Sequence, residues 1–401
     1  MGALLNGPKP ASPMKPIIMV FPHRYVQGPG VLSTISEHLS VLGIARPLVV
    51  LDPSVIDVCR EPIEHNLGAH GMPCRFLPFS GDSTWSEVTR VKEACIDGDH
   101  DAIISCGGGK TLDTGRAAAA RNAMNCGVVP PEPMHEVGAG VACIQVPTIA
   151  STDASTSRAC LIYNDRGAFE TVLFVPTNPD MVLVDTLIIS KAPVRTFVAG
   201  MGDALATYFE ADTCGRTKAM TPAGGLQTRA ALTLARLALD LLITHGLEAK
   251  HENEAGVPGP ALEAVVEANT LLSGLGFENG GLSAAHAIAD CLPLLKERFD
   301  VPPLHGEMVS YGTVVHLLLE GNDAESLNQV IAFCRSVGLP TTLADMGLTE
   351  ISDKILWDLA NAVSKDPIIR SMPDAGQAPD DDGRFYNPDH IFRAMKTAEA
   401  R

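Results

Sequence analysis

Aromatic side chains are scarce in this 401-residue chain, making up 5% of it with only two tryptophans. So thin a supply argues against a base-stacking platform of the kind single-stranded nucleic acids need. Positive charge is also short. Lys and Arg total 30 against 47 Asp and Glu, a formal net charge of −17, which disfavours nucleic acid and anionic membrane as partners. The ten cysteines fall singly and never as CxxC; some, such as Cys106, lie inside apolar runs. That is the habit of small buried hydrophobes in a reducing compartment, not of a disulfide framework. No segment is read as approaching a membrane span. The opening MGALLNGPKPASPMKP has too short an apolar stretch for a signal peptide, and Asn6 breaks the myristoylation pattern. Residues 1–16 are expected to form a loose arm, and the expected location is the cytosol.

What remains is a chain with 46% hydrophobic and 19% charged residues, long enough for two domains and a large core. Short apolar runs at Ile17–Phe21, Pro47–Leu51, Arg75–Phe79 and Ala102–Cys106 read as strands. Helical spacing separates them at Val31–Leu42, Ser54–Asn66 and Ser86–Asp97, and RYVQGPG (24–30) reads as a glycine-containing loop. This alternation predicts a parallel α/β sheet. Residues 122–140 read as a Pro/Gly surface loop, followed by further apolar runs at Val141–Val146, Glu170–Val175 and Met181–Asp185. From Pro193 onward long helical patterns take over: Val194–Thr213, Leu226–His245, Gly259–Leu275, Leu282–Phe299, Gly306–Glu320 and Ala324–Gly338. The expected division is an α/β domain over 17–192 and an all-α domain over 193–401.

Two stretches at strand ends carry chemistry. In VPTIASTDASTSRACLIY (146–163) an apolar approach delivers Thr148, Ser151, Thr152, Ser155, Thr156 and Ser157 around one carboxylate, Asp153. Such a run suits a ligand with hydroxyls and phosphates; equally, Ser, Thr and Asp are ordinary helix caps. In AIISCGGGKTLDTGRAAAA (102–120) three glycines close a strand and open an Ala-rich helix, so bare N–H groups at a positive helix end can approach a phosphate. A nucleoside-triphosphate loop fails because residue 104 is Ile, and GxGxxG fails because residue 112 is Leu. A dinucleotide pyrophosphate fits better than either, with a ligand-free tight turn as the alternative. Asp52, ending the second apolar run, can then accept from the adenosine ribose and repel a 2′-phosphate, favouring NAD.

In the helical half, Asp203, His286 and His305 lie among small or apolar residues, where an unpaired ionisable group is costly. One carboxylate and two imidazoles with an open position suit a catalytic zinc, although their sequence separation is no signature. His316, on another apolar helix, reads as a satisfied core histidine.

GGGKTLDT (107–114), VPTIASTDAxxS (146–157), GMGDALATYFEA (200–211), GLGFENGGLSAAHAI (274–288) and HGEMVSYG (305–312) closely resemble the glycerol dehydrogenases, with FPHRYVQGPGVL (21–32) similar to that family's opening. These form the zinc-dependent branch of the group III, iron-containing alcohol dehydrogenase superfamily. The resemblance runs in register from about residue 17 to about 320. It implies a dehydroquinate synthase-like fold: a dinucleotide-binding α/β domain, a helical metal-binding domain, and an active site in the cleft between them. It puts Asp203, His286 and His305 at the metal-ligand positions and Asp52 at the ribose acid. It puts Gly108, Gly109, Lys110, Thr111 and Asp113 on the pyrophosphate loop. Thr148, Ser151, Ser157, Ala159 and Tyr163 match further NAD contacts, and Asp153 matches the carboxylate that meets the substrate hydroxyl. It further implies Zn2+, a small polyol substrate (glycerol, or another vicinal diol or amino alcohol) and a homo-oligomer, commonly an octamer. Iron-using relatives place a His four residues after the ligand Asp; here that residue is Thr207. Two departures stand out. The loop before VPT is longer than usual, and Arg158 stands where a small residue is usual.

Overall fold

The computed structural model describes residues 15–125, 133–321, 324–348, 350–376 and 378–401. Most of the expected arm, and residues 126–132 of the long loop, therefore lie outside the described residues.

Ten strands are present among them: β1 Tyr25–Gly28, β2 Pro47–Leu51, β3 Arg75–Pro78, β4 Ala102–Gly107, β5 Asn122–Asn125, β6 His135–Glu136, β7 Ala142–Pro147, β8 Ala159–Tyr163, β9 Phe169–Phe174 and β10 Met181–Asp185. Six form a parallel sheet in the order β1-β10-β7-β4-β2-β3. Its central strands are buried on both faces. In β2 and β4, Val49, Leu51, Ala102, Ile104 and Cys106 join the core on one side, while Leu48, Val50 and Ile103 join the core on the other. That is why these strands read as continuous apolar runs and not as alternating ones. The chain passes from β2 outward to β3 and returns to β4 on the opposite side of β2, so the sheet's switch point lies between the C-terminal ends of β2 and β4.

Three expectations needed correction here. The first strand is Tyr25–Gly28, inside the segment expected to be a loop; Ile17, in the expected first strand, makes only an isolated bridge to Leu226. The sheet's edge tolerates a short half-buried strand, and Gly28 with the following Pro29 and Gly30 masked it in the sequence. The stretch expected to be a surface loop instead contributes β5 and β6 to a second sheet, ordered β6-β5-β9-β8, whose pairings are antiparallel.

From Val194 onward the described elements are helices, packed around one large apolar core. The expected helix at 226–245 runs further, over Arg229–Glu254, and by length and composition alone could cross a membrane. One face of it packs on the core, burying Ala231, Ala235, Ala238, Leu242 and Ala249, while Arg236 and Asp240 pair on its exposed face at 2.9 Å. The expected helix at 259–275 is interrupted by a π-helical turn at Ala268–Leu272 before Ser273–Gly280. Asp353–Val363 adds a helix that was not anticipated.

Candidate active site

The switch point gathers the first group of residues. Asp52 leaves β2 and Gly107 ends β4; Leu51 lies beside Cys106 in register, and the Asp52 amide donates to the Cys106 carbonyl at 2.9 Å. A Cβ on Gly107 would lie 2.6 Å from Thr111 Oγ1 and 2.9 Å from Asp52 Cβ, so only glycine lets these segments meet. One Asp52 oxygen accepts from the Ser54 amide and hydroxyl at 2.9 and 2.7 Å, and the other accepts from Thr111 Oγ1 at 3.2 Å. The carboxylate is thus held in place at the position where open α/β sheets take nucleotide riboses. Gly108 caps, and Gly109 begins, the helix Gly109–Ala119, whose first amides point out of the sheet's end. Such a helix start can accommodate an anion. The Thr148 amide donates to Gly107 O at 3.1 Å, joining the β7 end to it.

Not every expected contact faces the same way. Lys110 pairs with Asp82 at 2.9 Å and lies 4.7 Å over the Tyr163 ring. Burial, then the nearby carboxylates of Asp113, Asp82 and Asp290, push the Tyr163 phenol up to about 12. Asp113 is turned inward. One oxygen accepts from buried Arg116 at 2.9 Å and the other from the Leu161 amide at 3.0 Å. Arg116 also donates to the Ala154 and Ala159 carbonyls, tying helix Gly109–Ala119 to the Asp153 loop. The hydroxyls of that loop divide as well. Thr152 Oγ1 accepts from the Ala154 amide within the loop, while Thr156 Oγ1 donates to the Asp153 carbonyl and to the Thr270 carbonyl in the helical half. Ser157 is buried, and Ser151 and Asp153 are half-buried.

Three helices build the second group, and close packing at glycine brings them together. A Cβ on Gly306 would sit 1.7 Å from Ala199 O, and one on Gly202 would sit 2.2 Å from Gly306 O. Helix Val194–Thr217 therefore presses on the start of helix His305–Glu320, setting Asp203 beside His305. Gly312 does the same for helix Ala284–Cys291, where a Cβ would meet Ala285 O at 2.3 Å; this brings in His286. His286 Nε2 lies 3.3 Å and His305 Nε2 3.5 Å from the same oxygen, Asp203 Oδ1, and all three donor atoms fall within 4.8 Å of one another. Ligands at zinc-like bond lengths of ~2.1 Å in a tetrahedron stand about 3.4 Å apart, so the set fits a single metal ion.

Glu210, two turns along the helix from Asp203, completes the arrangement. It is fully buried and accepts the Ser283 and His286 amides at 2.8 and 2.9 Å on one oxygen and His286 Nδ1 at 2.5 Å on the other. This fixes His286 with Nε2 free to ligate. Glu210 stands inside GMGDALATYFEA, on the same helix as Asp203, and was missed: an acid in that stretch carries no mark of the burial that its partner His286 imposes. Thr207 bonds to Ser273 Oγ at 3.0 Å. His316 is fully buried and meets Thr213 Oγ1 at 3.2 Å, in keeping with a core role.

Electrostatics couple the two groups. Burial raises the Asp153 carboxyl, and the charge of Asp203 raises it further, to about 7, against the opposing pull of His286 and His305. Burial would raise Asp203 too, but His305 and His286 overcome it and hold it below the ordinary range. Burial disfavours charge on both imidazoles, yet Glu210 and Asp203 raise His286 well above its usual value, and Asp203 raises His305.

A sheet switch point of the kind that takes nucleotides, together with an Asp-His-His set that could hold a metal ion, suits an oxidoreductase. Residues 22–186 match the iron-containing alcohol dehydrogenase family. The chain is 40% identical to glycerol dehydrogenase of Citrobacter freundii over 94% of its length and 96% of that protein's, and 40% identical to that of Thermotoga maritima over 95% and 96%. The crystal structure of glycerol dehydrogenase from Schizosaccharomyces pombe superposes with a TM-score of 0.83 at 33% identity, over 96% of this chain and 91% of that one. The chain belongs to the glycerol dehydrogenase family.

Proposed function

We propose that the protein oxidises glycerol to dihydroxyacetone, and reduces it in the reverse direction, with NAD and Zn2+. The observation that carries this reading is the convergence of His286 Nε2 and His305 Nε2 on Asp203 Oδ1 at 3.3 and 3.5 Å, in a family whose members carry that activity in their names. Asp203, His286 and His305 would hold the ion, which supplies a Lewis acid that eases deprotonation of a substrate hydroxyl. Asp52 and the turn at Gly107–Gly109 would hold NAD, the hydride acceptor. Asp153 would accept a hydrogen bond from the substrate hydroxyl. Zinc is favoured over iron because Thr207, where the iron-using relatives have a His, is engaged with Ser273. The loop 151–157 and Tyr163 would complete the cofactor pocket. A cytoplasmic homo-oligomer, an octamer by family resemblance, is part of the same reading.

The test is NAD reduction with glycerol at alkaline pH before and after chelation, with zinc, then iron, added back. Activity lost on chelation and restored best by zinc supports the proposal. Turnover of 1,2-propanediol or 2,3-butanediol with none of glycerol would move the assignment to another diol on the same site. Chelation without effect would refute the metal's role.

A further inference from the structure

Arg158 directly follows the loop that bears Asp153. Its side chain does not point into solvent. Nε donates to Glu278 Oε1 at 2.7 Å, the Arg158 amide donates to the same oxygen at 3.2 Å, and Nη2 donates to Pro222 O at 2.8 Å. Asn178 Nδ2 donates to the other Glu278 oxygen and to Thr156 O. Glu278 is fully buried on helix Ser273–Gly280, which leads into the helix carrying His286. Every donor to that carboxylate named here comes from the α/β domain. One turn earlier on the same helix, a Cβ on Gly274 would lie 1.9 Å from Thr156 Oγ1 and 3.3 Å from Asp153 Cβ. The loop therefore touches the metal-bearing domain at Thr270, Gly274 and Glu278. Arg158 supplies the cation for a buried carboxylate that would otherwise be held by neutral donors alone.

We propose that Arg158 is a positioning residue that latches the Asp153 loop to the helical domain and thereby sets the alignment of substrate against nicotinamide. This rests on the dehydrogenase reading above. Arg158 touches none of the metal ligands, so its loss spares the metal while displacing the loop. Small displacements of reacting groups are felt mainly in the chemical step.

The test compares R158M, R158K and E278Q with the parent for metal content, kcat, KM and the deuterium isotope effect on kcat with C-deuterated glycerol. Amide exchange of residues 151–158 is followed in parallel. In R158M we expect unchanged zinc content, a kcat lowered about tenfold or more with KM changed less than about threefold, a larger isotope effect, and faster exchange in the loop. R158K recovers part of the rate, because lysine reaches Glu278 but cannot also donate to Pro222 O. A folded R158M with parental kcat and isotope effect overturns the proposal, as does a rate loss matched by loss of zinc. Should R158M fail to fold, R158K and E278Q carry the same comparison, and parental rates and exchange in both overturn it. A parent that turns over no polyol refutes the dehydrogenase reading, while loop exchange still decides whether the latch exists.

Discussion

Replacing Glu210 with Gln tests how far the metal site depends on a residue that does not bind the metal. Burial alone would raise the Glu210 carboxyl, but the His286 imidazole and its hydrogen bond hold it below the ordinary range, so it acts as an ionised acceptor. One oxygen takes two backbone amides and the other takes His286 Nδ1. A glutamine keeps the shape and can keep its carbonyl on the two amides. Its NH2 then faces Nδ1, which must become the acceptor, moving the ring proton to Nε2 where the metal should sit. Loss of such a supporting partner costs metal affinity about 10–100-fold, or about 1.4–2.7 kcal/mol, and the tautomer change puts E210Q at the upper end. The assay is zinc affinity by competition with a chromogenic chelator, paired with activity titrated against added zinc. E210Q should recover much of its kcat only at raised zinc. Parental zinc affinity in a folded E210Q would refute the argument that Glu210 sets the tautomer.

Three further outcomes follow from the packing and the charges. G306A places a Cβ 1.7 Å from Ala199 O; it should lower the melting temperature and weaken zinc binding together, since overpacking costs about 1–3 kcal/mol or more. R116M strands the buried Asp113 carboxylate and should destabilise by about 3–5 kcal/mol, with the D113N/R116M double variant losing less than the sum of the singles in denaturant titrations. For Asp153 the sign works as follows in the metal-free protein. Between the ordinary carboxylate value of 3.8 and about 7 the folded chain keeps a proton that the unfolded chain has released, so this group's contribution to stability falls as pH rises through that window. D153N should flatten that limb in melting temperatures measured against pH after chelation; an unchanged slope would count against the shift.

The sequence was most informative where one residue type had to serve one physical need. Buried parallel strands such as β2 and β4 are almost wholly apolar, and Asp203 and His286 stand out as ionisable groups among alanines and glycines, with His305 at a loop-to-helix junction. It was least informative where meaning depends on a partner far along the chain. Gly202, Gly306 and Gly312 look like ordinary helix glycines until the carbonyls of Gly306, Ala199 and Ala285 arrive within a Cβ's reach. Glu210 looks like a surface acid on the helix until His286, far downstream, comes to sit on it. Asp113 lies in the right motif, but Arg116 one turn on draws its carboxylate inward. Tyr25–Gly28 hid because an edge strand needs few apolar residues.

The charge balance of the cleft yields one more prediction. Asp203 and Glu210 are both held in their ionised forms, and they raise the affinity of the imidazoles for protons: His286 well above its usual value against the opposing effect of burial, and His305 in the same direction through Asp203. In the metal-free protein both rings therefore hold protons more tightly than a free imidazole does. A divalent ion can bind only to neutral rings, so protons must leave as it arrives. Calorimetric titration of the chelated protein with zinc, at pH 7 in buffers of different ionisation enthalpy, should therefore give a binding heat that varies with the buffer. The number of protons released should fall as pH rises and the rings lose their protons before the metal arrives. In E210Q, where His286 no longer faces a buried anion, it should be smaller than in the parent. A binding heat independent of buffer in the parent would mean that the imidazoles are already neutral, and that the carboxylates around them do not hold the protons this arrangement assigns.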